Sequence, residues 1–118
     1  MLYLGIDIGK NNHEAGIVDG EGKQLGKSLR FANDQQGFFS LTSFLEQKVG
    51  PGEELRVGME ATGHYWIPLY SFLHGKGFIL HVINPIQSDS LRNFRIRTND
   101  VLFKYYTLTL IICKRRAV

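Results

Sequence analysis

The sequence has one cysteine, no long apolar run and only a small net charge, and each of these features excludes some classes of protein. Cys113 is the single cysteine, so no internal disulfide framework can form, which favours a reducing compartment. No apolar run reaches the roughly 18–20 residues of a membrane span, and the first residues lack the pattern of a signal peptide. We therefore expect a cytoplasmic protein without a membrane segment.

The composition that is present is typical of one folded domain. The chain has 118 residues, 43% of them hydrophobic, which is enough for one core but not for two. The net charge of +3 and the pI of about 9.1 are compatible with nucleic-acid binding without being diagnostic of it.

The most informative stretch is LYLGIDIGK, residues 2–10. Its near-continuous apolar run is typical of a central strand covered on both faces. Asp7 lies inside this run, where an acid is costly to bury unless it is paired or binds a metal. Gly5 and Gly9 leave room beside it for a ligand or another backbone. We interpret Asp7 as a site residue at the end of a strand.

The order of the elements predicts an α/β fold. The first strand, a short one around residues 15–18 and a third over 24–31 form an antiparallel meander. A helix capped by Asn33 follows and ends at residues 50–52. A strand over 55–60, a helix from about Trp66 and a strand over 78–83 then predict a parallel pair. The result is a mixed sheet of three antiparallel and two parallel strands with helices packed on it.

Two acids end predicted strands, Asp7 and Glu60. In parallel arrangements ligands gather at the carboxyl ends of strands, and paired carboxylates suit Mg²⁺ or Mn²⁺. Such a site can hold two metals and drive in-line attack on a phosphodiester. Asp100 lies beyond a basic linker and could return to the same pocket; alternatively, Glu60 faces water and Asp100 caps a helix.

Five further side chains are candidates for nucleic-acid contact. Lys10 directly follows the Asp7 strand, and His64 follows Glu60 by four residues, where it could orient a phosphate or a water. A partly buried histidine at a helix start is the alternative for His64. Arg92, Arg95 and Arg97 could hold a nucleic-acid backbone, although a solvated basic loop explains them equally well.

Four blocks, LGIDIGK, GMEATGHYWIPLYSFL, HVINPIQ and RTND, resemble the amino-terminal domain of the DEDD transposases of insertion-sequence family one-ten. The resemblance covers about residues 2–100 and implies a RuvC-like domain with a ribonuclease-H-like fold. It implies that Asp7, Glu60 and Asp100 are the first three of four acids that bind Mg²⁺ for DNA strand cleavage and exchange. It also implies DNA as substrate and, in the full-length protein, a guide (bridge) RNA as partner.

The sequence departs from the family pattern after Asp100. Phe103 stands where the family places its fourth acid, and residues 101–118 lose the family's composition. We interpret residues 1–100 as an incomplete catalytic domain and residues 101–118 as a divergent tail of a truncated or frame-shifted product. One acid fewer should weaken binding of a second metal, so we expect the isolated chain to be inactive.

Two alternatives stay open at this stage. IDIGKNNHEAGIVDGEGK also resembles the first phosphate loop of actin-like sugar kinases, a phosphotransferase fold with the same core, although Lys10 replaces the usual Thr or Ser. The other alternative is a non-catalytic nucleic-acid-binding module, or a self-associating one whose apolar tail at residues 105–113 pairs with another copy to form a homo-oligomer.

Overall fold

The computed structural model describes residues 1–61 and 63–83. Within these residues the strands and helices are β1 Leu2–Asp7, β2 Asn12–Val18, β3 Leu29–Ala32, α1 Gln35–Lys48, β4 Leu55–Glu60, α2 Ile67–Gly75 and β5 Ile79–Ile83. No helix among them is long and apolar enough to cross a membrane.

The five strands form one mixed sheet in the order β3-β2-β1-β4-β5. The pairs β1–β2 and β2–β3 are antiparallel, whereas β1–β4 and β4–β5 are parallel. The predicted α/β class, with three antiparallel strands and two parallel ones, is therefore confirmed. Because β3 runs in the same direction as β1, the strands β1, β3, β4 and β5 all end at one edge of the sheet, which we call the carboxyl edge. The opposite edge is the amino edge.

The core lies where α1 and α2 cover one face of the sheet. Leu4 and Ile6 of β1 are completely buried and lie beside Val57 and Met59 of β4. The buried side chains of the two helices join the same cluster: Phe38, Leu41, Leu45, Leu69 and Leu73. Alternate positions of the strands face this cluster because side chains in a strand alternate between its two faces.

The third strand is shorter than its pattern predicts. Only Leu29–Ala32 pairs continuously with β2, and Gln24 makes just an isolated bridge to Val18. The intervening segment contains Gly26 at φ +73°, a conformation that interrupts an extended strand. The predicted start at residue 24 was therefore wrong.

The cap of α1 also differs from the prediction. Asp34, not Asn33, is the N-cap, and its carboxylate accepts a hydrogen bond of 2.8 Å from the backbone N–H of Gly37. Gly37 itself lies against the end of β3: a Cβ placed there would come within 1.8 Å of the Ala32 carbonyl oxygen. The start of α1 can approach β3 this closely only because residue 37 has no side chain.

Candidate functional site

Asp7 and Glu60 lie next to each other at the carboxyl edge. In the parallel pairing of β1 with β4, Ile6 is the partner of Met59, and the two acids are the next residues on their strands. Both side chains therefore project from the same face of the sheet, opposite to Ile6 and Met59, on strands about 4.8 Å apart. Both residues are half-buried. The structure thus brings together the two acids that sequence reasoning selected.

A third acid, Glu14, lies beside Asp7 on its other side. It is the partner of Asp7 in the antiparallel β1–β2 pairing, so its side chain projects from the same face. Two residues back on that face, Gly5 lies between Gly16 and Gly58, so three adjacent strands carry no side chains there. Sequence analysis missed Glu14, because only the register of β2 against β1 places it beside Asp7.

The loop after β1 is held by a buried histidine. The backbone N–H of Gly9 donates to Nδ1 of His13 at 3.1 Å, so the proton of a neutral imidazole is on Nε2. His13 is fully buried, and its ring makes an edge contact with Phe31 at 5.3 Å between centroids. Lys10, the next residue of this loop, is exposed. The loop backbone is therefore anchored to the core while the lysine side chain reaches solvent.

The segment from Gly63 to Trp66, which follows β4, is held by contacts of its own aromatic residues. Nε1–H of Trp66 donates to the carbonyl oxygen of Gly63 at 3.1 Å, and Gly63 adopts φ +59°. Tyr65 and Trp66 are partly buried and pack against the core. His64 is exposed and lies on Tyr65 with ring centroids 4.4 Å apart, so the alternative of a partly buried histidine was wrong.

The remaining predicted site residues lie outside the described part of the chain. These are Asp100, Arg92, Arg95 and Arg97, together with Phe103 and the tail. Within the described residues no group of three or more His, Cys, Asp and Glu side chains forms a metal cluster. The described part thus contributes two of the three predicted carboxylates, and their oxygens are the ligands that Mg²⁺ and Mn²⁺ prefer.

His81 lies in β5, on the parallel side of the sheet, and its pKa is lower than usual. Its partner in β4 is Gly58. Burial lowers the pKa of His81 below its usual value of 6.5, and the positive charge of Arg56 lowers it further. The neutral form of this imidazole is therefore favoured in the folded protein.

The sheet order and the two helices define a ribonuclease-H-like, RuvC-like α/β fold. The structure of Thermus thermophilus RuvC superposes with a TM-score of 0.52 at 17% identity, covering 75% of this chain and 66% of that chain. Thermus thermophilus RuvC in complex with a Holliday junction substrate gives a TM-score of 0.51 at 16% identity, covering 77% and 69%. At these identities the likeness shows the fold.

Comparison of the amino-acid sequence identifies the family to which the chain belongs. The model of the DEDD transposases of insertion-sequence family one-ten, described as "Transposase", matches residues 4–100. The pilin gene-inverting protein of Moraxella lacunata is 32% identical over 84 residues, which is 71% of this chain and 25% of that protein. The chain belongs to this family of transposases, and it spans about a quarter of the length of the curated relatives it matches. Family membership decides against the sugar-kinase alternative.

Proposed function

We propose that this chain provides the metal-binding part of a DNA transposase, with Asp7 and Glu60 as ligands of a divalent cation. Asp100, in the matched region but outside the described residues, is the third ligand of this proposal. The reaction would be cleavage and exchange of phosphodiester strands. The observation that carries the proposal is the neighbouring position of Asp7 and Glu60 on one face of the sheet, at the ends of two parallel strands.

The chemistry of the two side chains supports a hard cation. Two carboxylates held side by side repel each other unless a cation or a proton lies between them. Mg²⁺ or Mn²⁺ bound there would supply a Lewis acid for the phosphate and activate the attacking oxygen. The protein's own contribution is to hold both carboxylates on adjacent strands before the cation arrives, which lowers the cost of ordering them.

The proposed substrate is DNA, with its backbone near the carboxyl edge. Lys10 and His64 lie exposed on the loops that follow the two acid-bearing strands. A cationic side chain there can contact phosphate oxygens without reading the base sequence. Arg92, Arg95 and Arg97 belong to the same proposal, as does the guide RNA of a full-length protein.

We also propose that this chain alone has little or no cleavage activity. Phe103 occupies the position where the family resemblance expects a fourth acid. Phenylalanine cannot ligate a cation, so a second metal should bind poorly and two-metal catalysis should be lost. One metal should still bind, in the millimolar range.

Titration of the full chain with Mn²⁺, followed by paramagnetic broadening of amide NMR signals, tests the metal site. We expect broadening centred on the ends of β1 and β4, and its loss in Asp7→Asn and Glu60→Gln. Glu53→Gln is the matched control, because Glu53 is an exposed acid at the amino edge. If the broadening were lost equally in all three variants, the cause would be the change in net charge and not a specific site, and the proposed site would be overturned.

A nicking assay on supercoiled DNA with Mg²⁺ tests the second part. The expected result is no cleavage above that of Asp7→Ala. Robust nicking that Asp7→Ala abolishes would keep the metal site but overturn the proposal of inactivity.

A further inference from the structure

Asn33, just after β3, joins two loops that are far apart in the sequence. Its Nδ2 group donates to the carbonyl oxygen of Lys10 at 3.3 Å and to that of Tyr65 at 3.2 Å. These partners are 23 and 32 residues away along the chain. The backbone N–H of Asn33 also donates to the carbonyl oxygen of Asn11 at 2.8 Å. One residue therefore bonds both to the loop after β1 and to the loop after β4.

The orientation of the Asn33 amide follows from its partners. Both groups that it reaches are carbonyl oxygens, which accept hydrogen bonds, so only the NH₂ end of the amide can face them. Its Oδ1 is buried and accepts no hydrogen bond within the described residues. A buried acceptor left unsatisfied lowers stability and calls for an explanation. The two donated bonds to separate loops provide one, since together they fix the geometry between those loops.

These are the loops that follow the two acid-bearing strands. Lys10 comes three residues after Asp7, and Tyr65 comes five residues after Glu60. The pairing of β1 with β4 ends at the residues before the two acids. Asp7 and Glu60 still pair with their outer neighbours, Glu14 and Ile83, so the loops that follow are the next connection between the two acid-bearing strands.

We propose that Asn33 is a positioning residue that ties the loop after β1 to the loop after β4 and thereby sets the spacing of Asp7 and Glu60. The inference rests on the proposed function, because it concerns the same two carboxylates. Asn33 itself would not touch the cation or the DNA; it acts through the backbone of the two loops.

Amide hydrogen exchange of the metal-free full chain tests the tie directly. In Asn33→Ala we expect amides of residues 9–11 and 63–66 to exchange about five-fold faster, the scale of one lost neutral hydrogen bond. Asp34→Ala is the matched control, because the Asp34 carboxylate caps α1 through Gly37 and bonds to neither loop. Unchanged exchange in both loops of Asn33→Ala, or equal acceleration in Asp34→Ala, would overturn the inference.

A second variant separates hydrogen bonding from side-chain volume. Asn33→Asp keeps the shape of the side chain but replaces the two donors with a carboxylate that faces two carbonyl oxygens. We expect it to loosen both loops at least as much as Asn33→Ala. Exchange as slow as in the unmodified chain would show that shape, not donation, holds the loops, and would overturn the proposed tie.

Mn²⁺ affinity tests whether the hydrogen bonds of Asn33 to the two loops affect the proposed metal site. We expect Asn33→Ala to weaken Mn²⁺ binding about ten-fold, as for other residues that orient metal ligands, and Asp34→Ala to leave it unchanged. If Asp7→Asn abolishes binding but Asn33→Ala does not weaken it, the positioning role is wrong and the proposed function stands. If Asp7→Asn binds as the unmodified chain does, the proposed function fails, and hydrogen exchange still decides whether Asn33 ties the loops.

Discussion

The two edges of the sheet are built from similar residue types but are held in different ways. At the carboxyl edge, Asn33 bonds to two loops that are 23 and 32 residues away, and the buried His13 accepts a hydrogen bond from the backbone N–H of Gly9, four residues earlier. At the amino edge, the ion pairs Met1–Glu53 and Arg56–Glu54 lie at the surface. Exposed ion pairs contribute little to stability, whereas hydrogen bonds between segments that are distant in the sequence restrict how those segments can move relative to each other.

Glycines show the same contrast. Gly37, next to the carboxyl edge, lies against the backbone of Ala32, whereas a Cβ added at Gly75 or Gly77, near the amino end of β5, would meet no atom within 4 Å. An open cleft of about 550 Å³ lies at the amino edge, lined in part by Leu45 and Phe78. At Gly37, therefore, the carboxyl edge has no room for a side chain, whereas the amino edge has open space at Gly75 and Gly77.

Gly37→Ala should have the largest effect. Its Cβ would collide with the Ala32 backbone, which cannot move aside as a flexible side chain can, so we expect a loss of at least about 3 kcal/mol. Gly75→Ala, in open space at the end of α2, should change stability by less than about 1 kcal/mol, in the stabilising direction. Urea denaturation of both variants measures the difference. Similar stabilities would contradict the contrast between the two edges.

His13→Ala should come next. It leaves the Gly9 N–H without its acceptor and opens a cavity beside Phe31, for which we expect a loss of about 2–4 kcal/mol. In His13→Asn, Oδ1 can take the place of Nδ1 as acceptor, so a smaller loss is expected. Denaturation curves measure both. Equal losses would show that the bond to Gly9 contributes nothing beyond the packing of the ring.

A smaller, pH-dependent effect is expected at His81, which lies between the two edges. Because its pKa is lowered in the folded state, the unfolded chain takes up the proton more readily. Its contribution to stability is therefore complete above about pH 6.5 and is lost as the pH falls below that value.

Denaturation midpoints between pH 7.5 and 5 test this sign. The midpoint of His81→Gln should fall less steeply on acidification than that of the unmodified chain. The exposed His74→Gln is the control variant. An unchanged slope in His81→Gln would show that His81 does not contribute to acid sensitivity.

Glu54→Gln should have the smallest effect. The pair with Arg56 is 3.5 Å long and exposed, so its loss should cost no more than about 0.5 kcal/mol and vanish at high salt. Thermal denaturation at low and high ionic strength measures this. A loss above about 1 kcal/mol would mean that the amino edge is also held by polar bonds.

Local sequence patterns were sufficient to predict the element order and to select the two acids. The apolar run around Asp7, the strand that ends in Glu60 and the helical spacing of Phe38, Leu41 and Leu45 are such patterns, and burial follows them. A period of two residues in a strand or 3.6 residues in a helix determines which face is apolar. These features can therefore be predicted without knowing which other elements pack against that face.

The neighbours of each site residue, in contrast, were established only by the folded sheet. The register of β1 places Glu14 and Glu60 on either side of Asp7, and Asn33 bonds across 23 and 32 residues instead of capping the adjacent helix. Such neighbours have no signature within a short window, because they arise when several strands and loops pack at once. Periodicity is a property of one segment, whereas register and long-range hydrogen bonds belong to the assembled sheet.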